Sequence, residues 1–593
     1  METRRLLLAI VLSLAVLLAW NYFFAPEPPP RDVPPVADGV RPVPERPPEG
    51  AAPEGEPGVE AEPGRAEAGA PPEAEWTTET AERRVVIEND RVRATFTSRG
   101  AQLVSFELKE HRREGNGQVD LVRQRAQGPW PFGLLEDGEP HPLNDVLFAT
   151  ETDPGDGGGA GVAFRYAGPQ GVAEKSFRFR ADGLLEVAMS VPGQDDWGFL
   201  LGPGLRNPAT SELGGSQDVR SLVYRLGDDV ERVKPAKVET TQILPAAGLV
   251  WAGLDDNYFL TAMIFDPARP GVARLRVIPL LLTPGAEGEA GAFRPLPAEE
   301  LLTDEEEDLP RELELVIEPG EEEVAALAYW GAKQYEQLQE MPGGLERAVD
   351  LGFFRPLAVP LLVALHWIYE NVVRNYGWAI VLLTFLIKLV LLPLTHKSYV
   401  SMRKMQELQP KLKALQAKYR PKLKDKQGRP NMEMQRKMNE EMMALYKEHG
   451  VNPAGGCLPM LLQIPVFFGF YKILLTAVEL RDAPWMLWIK DLSIKDPFYV
   501  LPVVMAGTQY IQQRMTPSSA DPMQRRIFQL MPLFLLFLFL QFPAGLVLYW
   551  LTNNVLTIAQ QWIYNHLKQR RENAATPPEG KKAKSAEGRA RAK

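Results

Sequence analysis

The sequence of 593 residues has one cysteine, Cys457, and six histidines. A single cysteine excludes an intrachain disulfide. The histidines are scattered without the spacing of metal ligands, and the chain has no Gly-x-Ser-x-Gly nucleophile motif. We therefore expect no metal, no cofactor, no catalytic residue and no enzyme activity.

Six apolar runs in the chain contain no aspartate or glutamate. A membrane-spanning helix needs about 20 apolar residues, and two of these runs are shorter than that. Without carboxylates, a proton-coupled transporter loses its usual relay, although a small-solute transporter stays an alternative. We predict six transmembrane helices, at 6–24, 377–395, 457–478, 498–513, 527–542 and 545–564. The first follows Arg4 and Arg5 and has no small-residue cleavage site, which favours an uncleaved anchor over a signal peptide.

The net charge of -10 is unevenly distributed along the chain. Residues 396–450 carry a net charge of +8 and residues 566–593 carry +6, so the remainder carries -24. Positively charged loops stay in the cytoplasm, which places both basic segments and both termini there and one large domain outside. The basic segments also predict anionic partners, either lipid headgroups or nucleic acid.

The sequence predicts a linker followed by a β domain over residues 26–342. Of the residues 26–72, 15 are proline, so we expect a disordered spacer. Alternating stretches such as 91–96, 175–179 and 312–317 then predict an antiparallel β-sandwich, which a helix at 321–341 would close. The glycine-rich stretch at 155–161 lacks the Gly-Lys-Ser/Thr of a phosphate loop and is interpreted as a turn.

Two further segments have helical periodicity. Residues 356–374 place Leu361, Leu365, Ile368 and Val372 on one face, which predicts an interfacial amphipathic helix; a core helix of the β domain is the alternative. The segment 396–450 has two apolar stripes around a break at 421–431, which predicts an antiparallel coiled-coil hairpin. Its stripes are Met402, Met405, Leu408, Leu412, Leu415 and Tyr419, then Met434, Met438, Met442 and Leu445. The methionines are interpreted as core, with an adaptable binding surface as the alternative.

Lys388 is the most informative residue, because it lies inside the apolar run 377–395 with no acidic partner there. A lysine at the centre of a membrane helix costs about 2.5 to 3.5 kcal/mol, so such residues usually face water or a working site. Thr384 and Thr395 share its helical stripe. The alternative is a lysine that merely snorkels to the interface.

Other polar side chains concentrate in the predicted cytoplasmic halves of the spans. This one-sided pattern predicts a hydrated cavity open to the cytoplasm and closed outside, although amides can also join helices to one another. Lys472 and Gln541 are the exceptions in the outer halves. The polar residues considered as cavity lining are Gln463, Gln509, Gln513, Asn554 and Gln560.

Several motifs in the region 377–561 resemble those of one family, the YidC-type membrane protein insertases of the Oxa/Alb superfamily. They are Thr384-Phe385, Lys388 and Pro393-Leu394-Thr395, then Leu408-Gln409-Pro410, Asn452-Pro453-x-Gly455-Gly456-Cys457-x-Pro459, Gln463-x-Pro465, Asp521-Pro522-Met523-Gln524, the stretch from Phe542 to Trp550, Asn554 and Gln560-Gln561. The large outer domain is similar to that of the Gram-negative branch of the family.

The resemblance implies a fold, a function and a site. The fold class is a polytopic α-helical membrane protein, with six transmembrane helices including a five-helix insertase core, plus a periplasmic antiparallel β-supersandwich domain. The function is insertion, folding and assembly of inner-membrane proteins, alone or with the Sec translocon, through a hydrophilic groove open to cytoplasm and lipid. The groove residues would be Lys388, Thr384, Gln513 and Trp550, with Gln463, Lys472, Gln509, Asn554 and Gln560 as possible further lining. The family often has arginine at the position of Lys388. Lysine keeps the positive charge but cannot bind a carboxylate with two parallel hydrogen bonds.

The resemblance also implies partners and a division of the chain. The partners are nascent membrane proteins, the Sec translocon, anionic phospholipids, and ribosomes and signal-recognition targeting factors, which would meet the hairpin and the basic tail. The alternative is an enzyme whose active site lies in the outer domain. The expected parts are an anchor (1–25), a linker (26–75), a periplasmic domain (76–342), an interfacial helix (343–376), the second span (377–395), the cytoplasmic hairpin (396–450), spans three to six (451–564) and a basic tail (565–593).

Overall fold

The computed structural model describes most of the chain beyond residue 78. The described ranges are 79–112, 117–125, 128–154, 159–194, 196–206, 220–266, 271–283, 292–295, 311–423, 431–451, 458–516 and 522–575. The predicted anchor (1–25) and linker (26–75) lie outside these ranges, as does the tail beyond residue 575.

The first part of the described chain forms twenty β-strands. In chain order they are β1 (Arg84–Glu88), β2 (Val92–Thr97), β3 (Gln102–Arg112), β4 (Gln118–Asp120), β5 (Leu134–Glu136), β6 (Glu139–Pro140), β7 (Ala149–Asp153), β8 (Gly161–Gly168), β9 (Gly171–Phe179), β10 (Leu185–Ser190), β11 (Trp197–Pro203), β12 (Ser221–Leu226), β13 (Asp229–Val233), β14 (Gln242–Pro245), β15 (Leu249–Asp255), β16 (Phe259–Ile264), β17 (Val272–Thr283), β18 (Ala292–Pro295), β19 (Arg311–Pro319) and β20 (Glu323–Ala332). The predicted strands at 91–96, 175–179 and 312–317 lie in or largely coincide with β2, β9 and β19.

The strands form three antiparallel sheets. The order is β1-β2-β3-β4 in the smallest, β13-β12-β15-β16-β20-β10-β9-β8-β7 in the nine-stranded sheet, and β14-β17-β19-β11-β5-β6 in the seven-stranded sheet, where β18 also pairs with β17. One apolar core contains residues of all three sheets, including Phe96, Phe132, Phe177 and Phe199. The rings of Phe96 and Phe177 lie 4.4 Å apart. The domain is therefore sandwich-like, as predicted.

Strand β20 corrects the predicted closing helix at 321–341. Residues 323–332 pair with β10 on one side and β16 on the other. Alanines and leucine give this segment a helical composition, but a central position in a nine-stranded sheet buries its second half on both faces, and this packing overrides local propensity. Only the end of the predicted segment is helical.

Eight α-helices of the described residues follow the sheets. They are α1 (Tyr335–Glu340), α2 (Arg355–Asn371), α3 (Tyr376–Tyr419), α4 (Met432–Glu448), α5 (Leu458–Thr476), α6 (Val500–Met515), α7 (Pro522–Phe539) and α8 (Ala544–Ala575). A second apolar core joins the nine-stranded sheet, through Trp251 and Tyr329, to residues of α2, α3, α5 and α8.

Helix α2 lies where the amphipathic helix was predicted. Leu361, Leu365 and Ile368 are buried in the second core, whereas Val372 follows the helix end and is exposed. Gly469 of α5 lies against Ala358 of α2. The apolar face predicted from the sequence thus packs on the helical bundle rather than on the sheets alone.

Helix α3 continues without interruption from the predicted second span into the hairpin. Its 44 residues begin at the Asn375 cap, whose side chain accepts a hydrogen bond from the Trp378 backbone, and continue through Pro393 and Pro410. Prolines inside a helix remove hydrogen bonds but need not end it when neighbouring helices support the chain. The expected boundary between residues 395 and 396 is therefore not a break in the backbone.

The hairpin consists of the end of α3 and all of α4. The predicted break falls in the right place, because α3 ends at Tyr419 and α4 begins after the Asn431 cap. Met405, Leu408 and Leu412 are buried together, with Met442 and Leu445 packed against them. Met405 is thus a core residue, while Met432 and Met443 of α4 are exposed.

The bundle helices differ in length from the predicted spans. Among the described residues, the helical segment Tyr376–Lys422 is long and apolar enough to cross a membrane, and Gln463–Thr476 and Gln529–Phe539 are shorter apolar helices. Helix α8 has 32 residues and continues to Ala575. The first eleven residues of the predicted basic tail, 565–575, are therefore helical.

Candidate functional site

Helix α8 provides most of the polar contacts that connect the bundle helices. The ammonium of Lys388 on α3 donates to Thr557 Oγ1 at 2.8 Å. One turn further on α8, Gln560 Nε2 donates to Thr395 Oγ1 at 3.0 Å. Tyr399 OH of α3 donates to Asn565 Oδ1 at 2.8 Å. These three contacts form a ladder of hydrogen bonds between α3 and α8.

A second ladder joins α8 to α6. Trp550 Nε1 donates to Gln509 Oε1 at 3.2 Å. Asn554, which is buried, has its amide 3.4 Å from Thr508 Oγ1. Gln561 Nε2 donates to Thr516 Oγ1 at 3.0 Å. Both ladders use side chains of α8, so this helix contacts α3 and α6 at the same time.

Helix α5 meets α8 through one polar contact and an aromatic group. Gln463 donates to the hydroxyl of Tyr549, which is buried. The Trp550 ring lies 5.2 Å from Phe467 and 5.3 Å from Phe539 of α7. Trp550 thus combines a polar edge toward α6 with apolar packing against α5 and α7.

Thr384 and Gln513, two of the four main predicted groove residues, are not among the residues named in the two ladders. Thr384 is buried and donates to the backbone carbonyl of Ile380, one turn earlier in its own helix. Gln513 lies at the end of α6 and is partly buried. Both are nonetheless on helices that the ladders hold, Thr384 one turn from Lys388.

Lys472 lies away from this polar cluster. Its ammonium pairs with the carboxylate of Asp350 at 3.1 Å, in the segment between the β domain and α2. Lys472 and Gln463 are nine residues apart on α5, which places them about 13 Å apart along the helix. The structure therefore brings Lys388, Gln463, Gln509, Trp550, Asn554 and Gln560 around α8, and places Lys472 at the junction with the β domain.

Thr557 is one of the polar residues of the predicted sixth span, but it was not among the predicted groove residues. Its hydroxyl accepts from Lys388 and donates to the backbone carbonyl of Asn553 at 2.7 Å. A threonine in a polar stretch carries little signal by itself. The signal available was its position seven residues after Trp550, on the same stripe of α8.

The electrostatics of this cluster are dominated by Lys388. In the described part of the bundle, its hydrogen-bond partner is a neutral hydroxyl rather than a carboxylate. An ammonium has three donors, so it can bind further acceptors while the Thr557 contact is kept. Among the described residues, no three His, Cys, Asp or Glu side chains lie together as metal ligands. The arrangement therefore brings one positively charged side chain together with several side-chain amides and hydroxyls.

Backbone hydrogen bonds fix the start of α8 at the opposite end of the bundle. The Ala544 amide donates to Ile494 O at 2.7 Å, and the Gly545 amide donates to Leu492 O at 2.9 Å. These bonds attach the start of α8 to the loop between α5 and α6. Phe542 packs against Tyr471 beside them, with ring centroids 5.6 Å apart.

These features define a class: a helical bundle with a membrane-length helix and a one-sided polar cluster, joined to a sandwich-like β domain. Two family models match the chain, one described as 60Kd inner membrane protein over residues 367–572 and one described as YidC periplasmic domain over residues 84–364. The chain belongs to the YidC family of membrane protein insertases, an inner-membrane family with a periplasmic domain.

Relatives cover nearly the whole chain. A protein of Oleidesulfovibrio alaskensis named membrane protein insertase YidC is 36% identical over 583 residues, which are 95% of this chain and 99% of that protein. A protein of the same name from Syntrophus aciditrophicus is 35% identical, over 82% of this chain and 85% of its own. A crystal structure of an active YidC insertase with its first transmembrane domain resolved is 18% identical, with a TM-score of 0.33, over 82% of this chain and 93% of that one.

Proposed function

We propose that the chain inserts membrane proteins by receiving the polar part of a substrate beside Lys388, while the apolar part leaves sideways into lipid. The observation that carries this proposal is the Lys388–Thr557 contact, a charge without a carboxylate inside a helix of membrane length. A polar segment in hydrocarbon costs several kcal/mol for each unsatisfied backbone group. A polar cleft that reaches partway into the bilayer shortens the distance over which this cost applies.

The proposed site comprises Lys388, Thr384, Gln513 and Trp550, with Gln463, Gln509, Asn554 and Gln560 as further lining. The backbone closure at Ala544 and Gly545 supports a cleft that opens at one end only. The interhelical bonds of Asn554 and Gln560 support a second role for these amides, as contacts that hold the cleft walls in position.

The proposed topology has six transmembrane helices, of which the first lies in residues 1–25 and the others are built from α3, α5, α6, α7 and α8. Both termini and the hairpin would lie in the cytoplasm and the β domain in the periplasm, by the positive-inside rule. The proposed domain limits are those expected from the sequence, with the second span and the hairpin sharing α3.

Site-specific photocrosslinking to a ribosome-bound nascent membrane protein tests this function. Probes at Gln513 and Trp550 should crosslink to the nascent chain. Matched controls are Ile511 and Val555, which lie on the same two helices and are exposed on their apolar sides. Equal crosslinking from all four positions would contradict a defined cleft.

The proposed cytoplasmic partners are ribosomes and targeting factors, which would meet the hairpin and the basic residues after Ala575. Lysine and arginine contacts with phosphate release counterions, so such binding should weaken steeply with salt. Because α8 continues to Ala575, the tail is best removed after that residue, which leaves the helix intact. If this truncation leaves ribosome cosedimentation unchanged across a salt series, the tail is not a ribosome contact. The Sec translocon and anionic phospholipids are further proposed partners.

An enzyme in the β domain is the rival function, and deletion of most of residues 83–340 separates the two. An insertase that works through its helices should keep substantial insertion activity. An enzyme would lose all function.

A further inference from the structure

The loop between α5 and α6, residues 477–499, is fixed at three helix ends. Asn375, the cap of α3, donates its side-chain amide to Pro484 O at 2.9 Å. Ile494 O accepts from the first residue of α8 at 2.7 Å. Asp496 is buried, and its carboxylate accepts from the Leu501 backbone in the first turn of α6 at 2.7 Å. The α5–α6 loop therefore has a defined shape.

This fixed loop nevertheless turns large apolar side chains outward. Leu487 is 76% exposed, Phe498 67% and Ile494 51%. Val503 of α6, close to the loop in the sequence, is an apolar side chain that is also exposed. A loop that faced water would be expected to bury such residues or replace them with polar ones.

Three of the loop residues, Asp482, Leu487 and Tyr499, also adopt an unfavourable backbone conformation. Leu487 has φ of 55° and Tyr499 has φ of 56°, in the left-handed region. For residues other than glycine this costs about 1 to 2 kcal/mol each. Leu487 makes little contact within the chain that could offset the cost, because most of its side chain is exposed. A contact outside the chain would offset it.

The length of α6 indicates what that contact is. Its 16 residues span about 24 Å, whereas the hydrocarbon core of a bilayer is about 30 Å thick. The polar residues Gln512 and Gln513 at its far end shorten the apolar stretch further. If α6 crosses an apolar layer of the usual thickness, residues before Val500 lie within that layer. Ile494 and Phe498 occupy that position.

We propose that residues 486–498 of the α5–α6 loop are embedded in the outer leaflet of the membrane, with Met486, Leu487, Ile494 and Phe498 among the lipid chains. The exposed ammonium groups of Lys490 and Lys495 would then lie at the level of the lipid phosphates. The proposal rests on the topology given under the proposed function. Its consequence is that the loop sets the depth of α6 and α8 in the bilayer, since it is bonded to the first turn of each.

Depth-dependent fluorescence quenching tests the proposal in full-length protein reconstituted in vesicles of phosphatidylethanolamine and phosphatidylglycerol. A Cys457→Ser background carries one cysteine at a time for an environment-sensitive dye, at position 487 or 498. The aqueous control is Val172→Cys, an exposed apolar residue on β9. The lipid control is Val504→Cys on the exposed side of α6. The quenchers are lipids spin-labelled near the headgroup, and iodide on both sides of the membrane.

Dyes at 487 and 498 should be quenched by the spin-labelled lipid several-fold more strongly than the dye at 172, and by iodide several-fold less. Iodide quenching equal to that at 172 would overturn the proposal. So would an emission that depends on the protein-to-lipid ratio, since this would assign the loop to a second copy of the chain.

Substrate insertion is measured in the same vesicles, so the two proposals fail separately. Water-exposed dyes in active protein reject the embedded loop alone. A lipid-embedded loop in inactive protein rejects the proposed function alone.

Discussion

Lys388 and Thr557 are 169 residues apart in the sequence, and the lysine ammonium donates to the threonine hydroxyl at 2.8 Å. The same hydroxyl donates to its own helix, at Asn553 O. Its proton is therefore occupied and its lone pairs point toward the lysine. Thr557 thus fixes the direction of the ammonium without neutralising its charge.

Lys388 should act through its charge. We expect Lys388→Arg to be tolerated, Lys388→Ala to be impaired, and Lys388→Glu to be worst for substrates whose translocated segment is acidic, because like charges repel in a site of low dielectric. The measurement is protease protection of a short-tailed substrate made with each variant at matched levels. Full insertion of an acidic-tailed substrate by Lys388→Glu would show that the lysine only reaches for the membrane surface.

The hairpin methionines should be replaceable where they are core. Leucine and methionine have similar volumes, so replacing Met405, which is buried, and Met402 and Met438, which are half-buried, by leucine should cost less than about 1.5 kcal/mol and leave insertion intact. The measurements are thermal unfolding and substrate insertion. Met432 and Met443, which are exposed, provide the matched set for an adaptable surface. If the leucine replacements at Met402, Met405 and Met438 abolish insertion while folding is unchanged, a core role for these methionines is contradicted.

The Asp350–Lys472 pair should couple the β domain to α5. Burial disfavours the charged form of Asp350, but Lys472 and Arg232 hold the pKa of the carboxyl below its ordinary value. Both partners are about one-third exposed, so we expect a coupling energy of only about 1 kcal/mol in a double-mutant cycle of Asp350→Asn and Lys472→Met. A depressed carboxyl pKa stabilises the fold above its unfolded value of 3.8, and this contribution is lost on acidification below it. A coupling that is unchanged at lower pH would contradict the ion pair.

Glu479, which lies between the β domain and the helical bundle, should make the stability of the fold depend on pH. Burial, and then the nearby Glu336, raise the pKa of Glu479 to about 7 from 4.5. No side-chain oxygen of these two glutamates has a hydrogen-bond partner among the described residues. Tyr329 and Tyr376 are the other titratable groups that face Glu479.

A raised carboxyl pKa means that the folded state binds the proton more tightly than the unfolded state. The cost of ionising Glu479 is therefore zero below about pH 4.5, grows as pH rises, and is complete above about pH 7. The shift corresponds to a loss on the order of 3 kcal/mol. Thermal unfolding between pH 4 and 8 should show this loss in the parent and a flatter profile in Glu479→Gln. Identical profiles would assign the dependence to other groups.

The sequence predicts much of the fold because its periodicity reports local packing. Strand β9 alternates buried and exposed residues, as its sequence does. Periodicity does not predict β20, because the position of this strand between β16 and β10 decides its conformation. It also fails for the length of α3, because a change from apolar to polar side chains marks the end of a membrane layer and not the end of a helix.

For the candidate site, the sequence identifies the unusual residue but not its partners. Lys388 stands out because its neighbours in the chain are apolar. The sequence places Thr395 on the same helical stripe as Lys388, but it does not predict that Thr557 binds the lysine or that Gln560 binds Thr395. Lys472 was included as possible further lining of the groove, and only the structure shows that it pairs with a carboxylate from another segment, Asp350.

The uninterrupted course of α3 has a mechanical consequence. Its 44 residues form a rod about 66 Å long, with Lys388 in its first third and the hairpin at its far end. A partner that moves the hairpin therefore also acts on the helix that carries Lys388. Pro393, which lacks the amide that would bond to the preceding turn, is the point where such a rod bends most easily. A displacement of the hairpin would reach the site through one continuous helix, without an intervening loop, and any bending of that helix would be expected at Pro393.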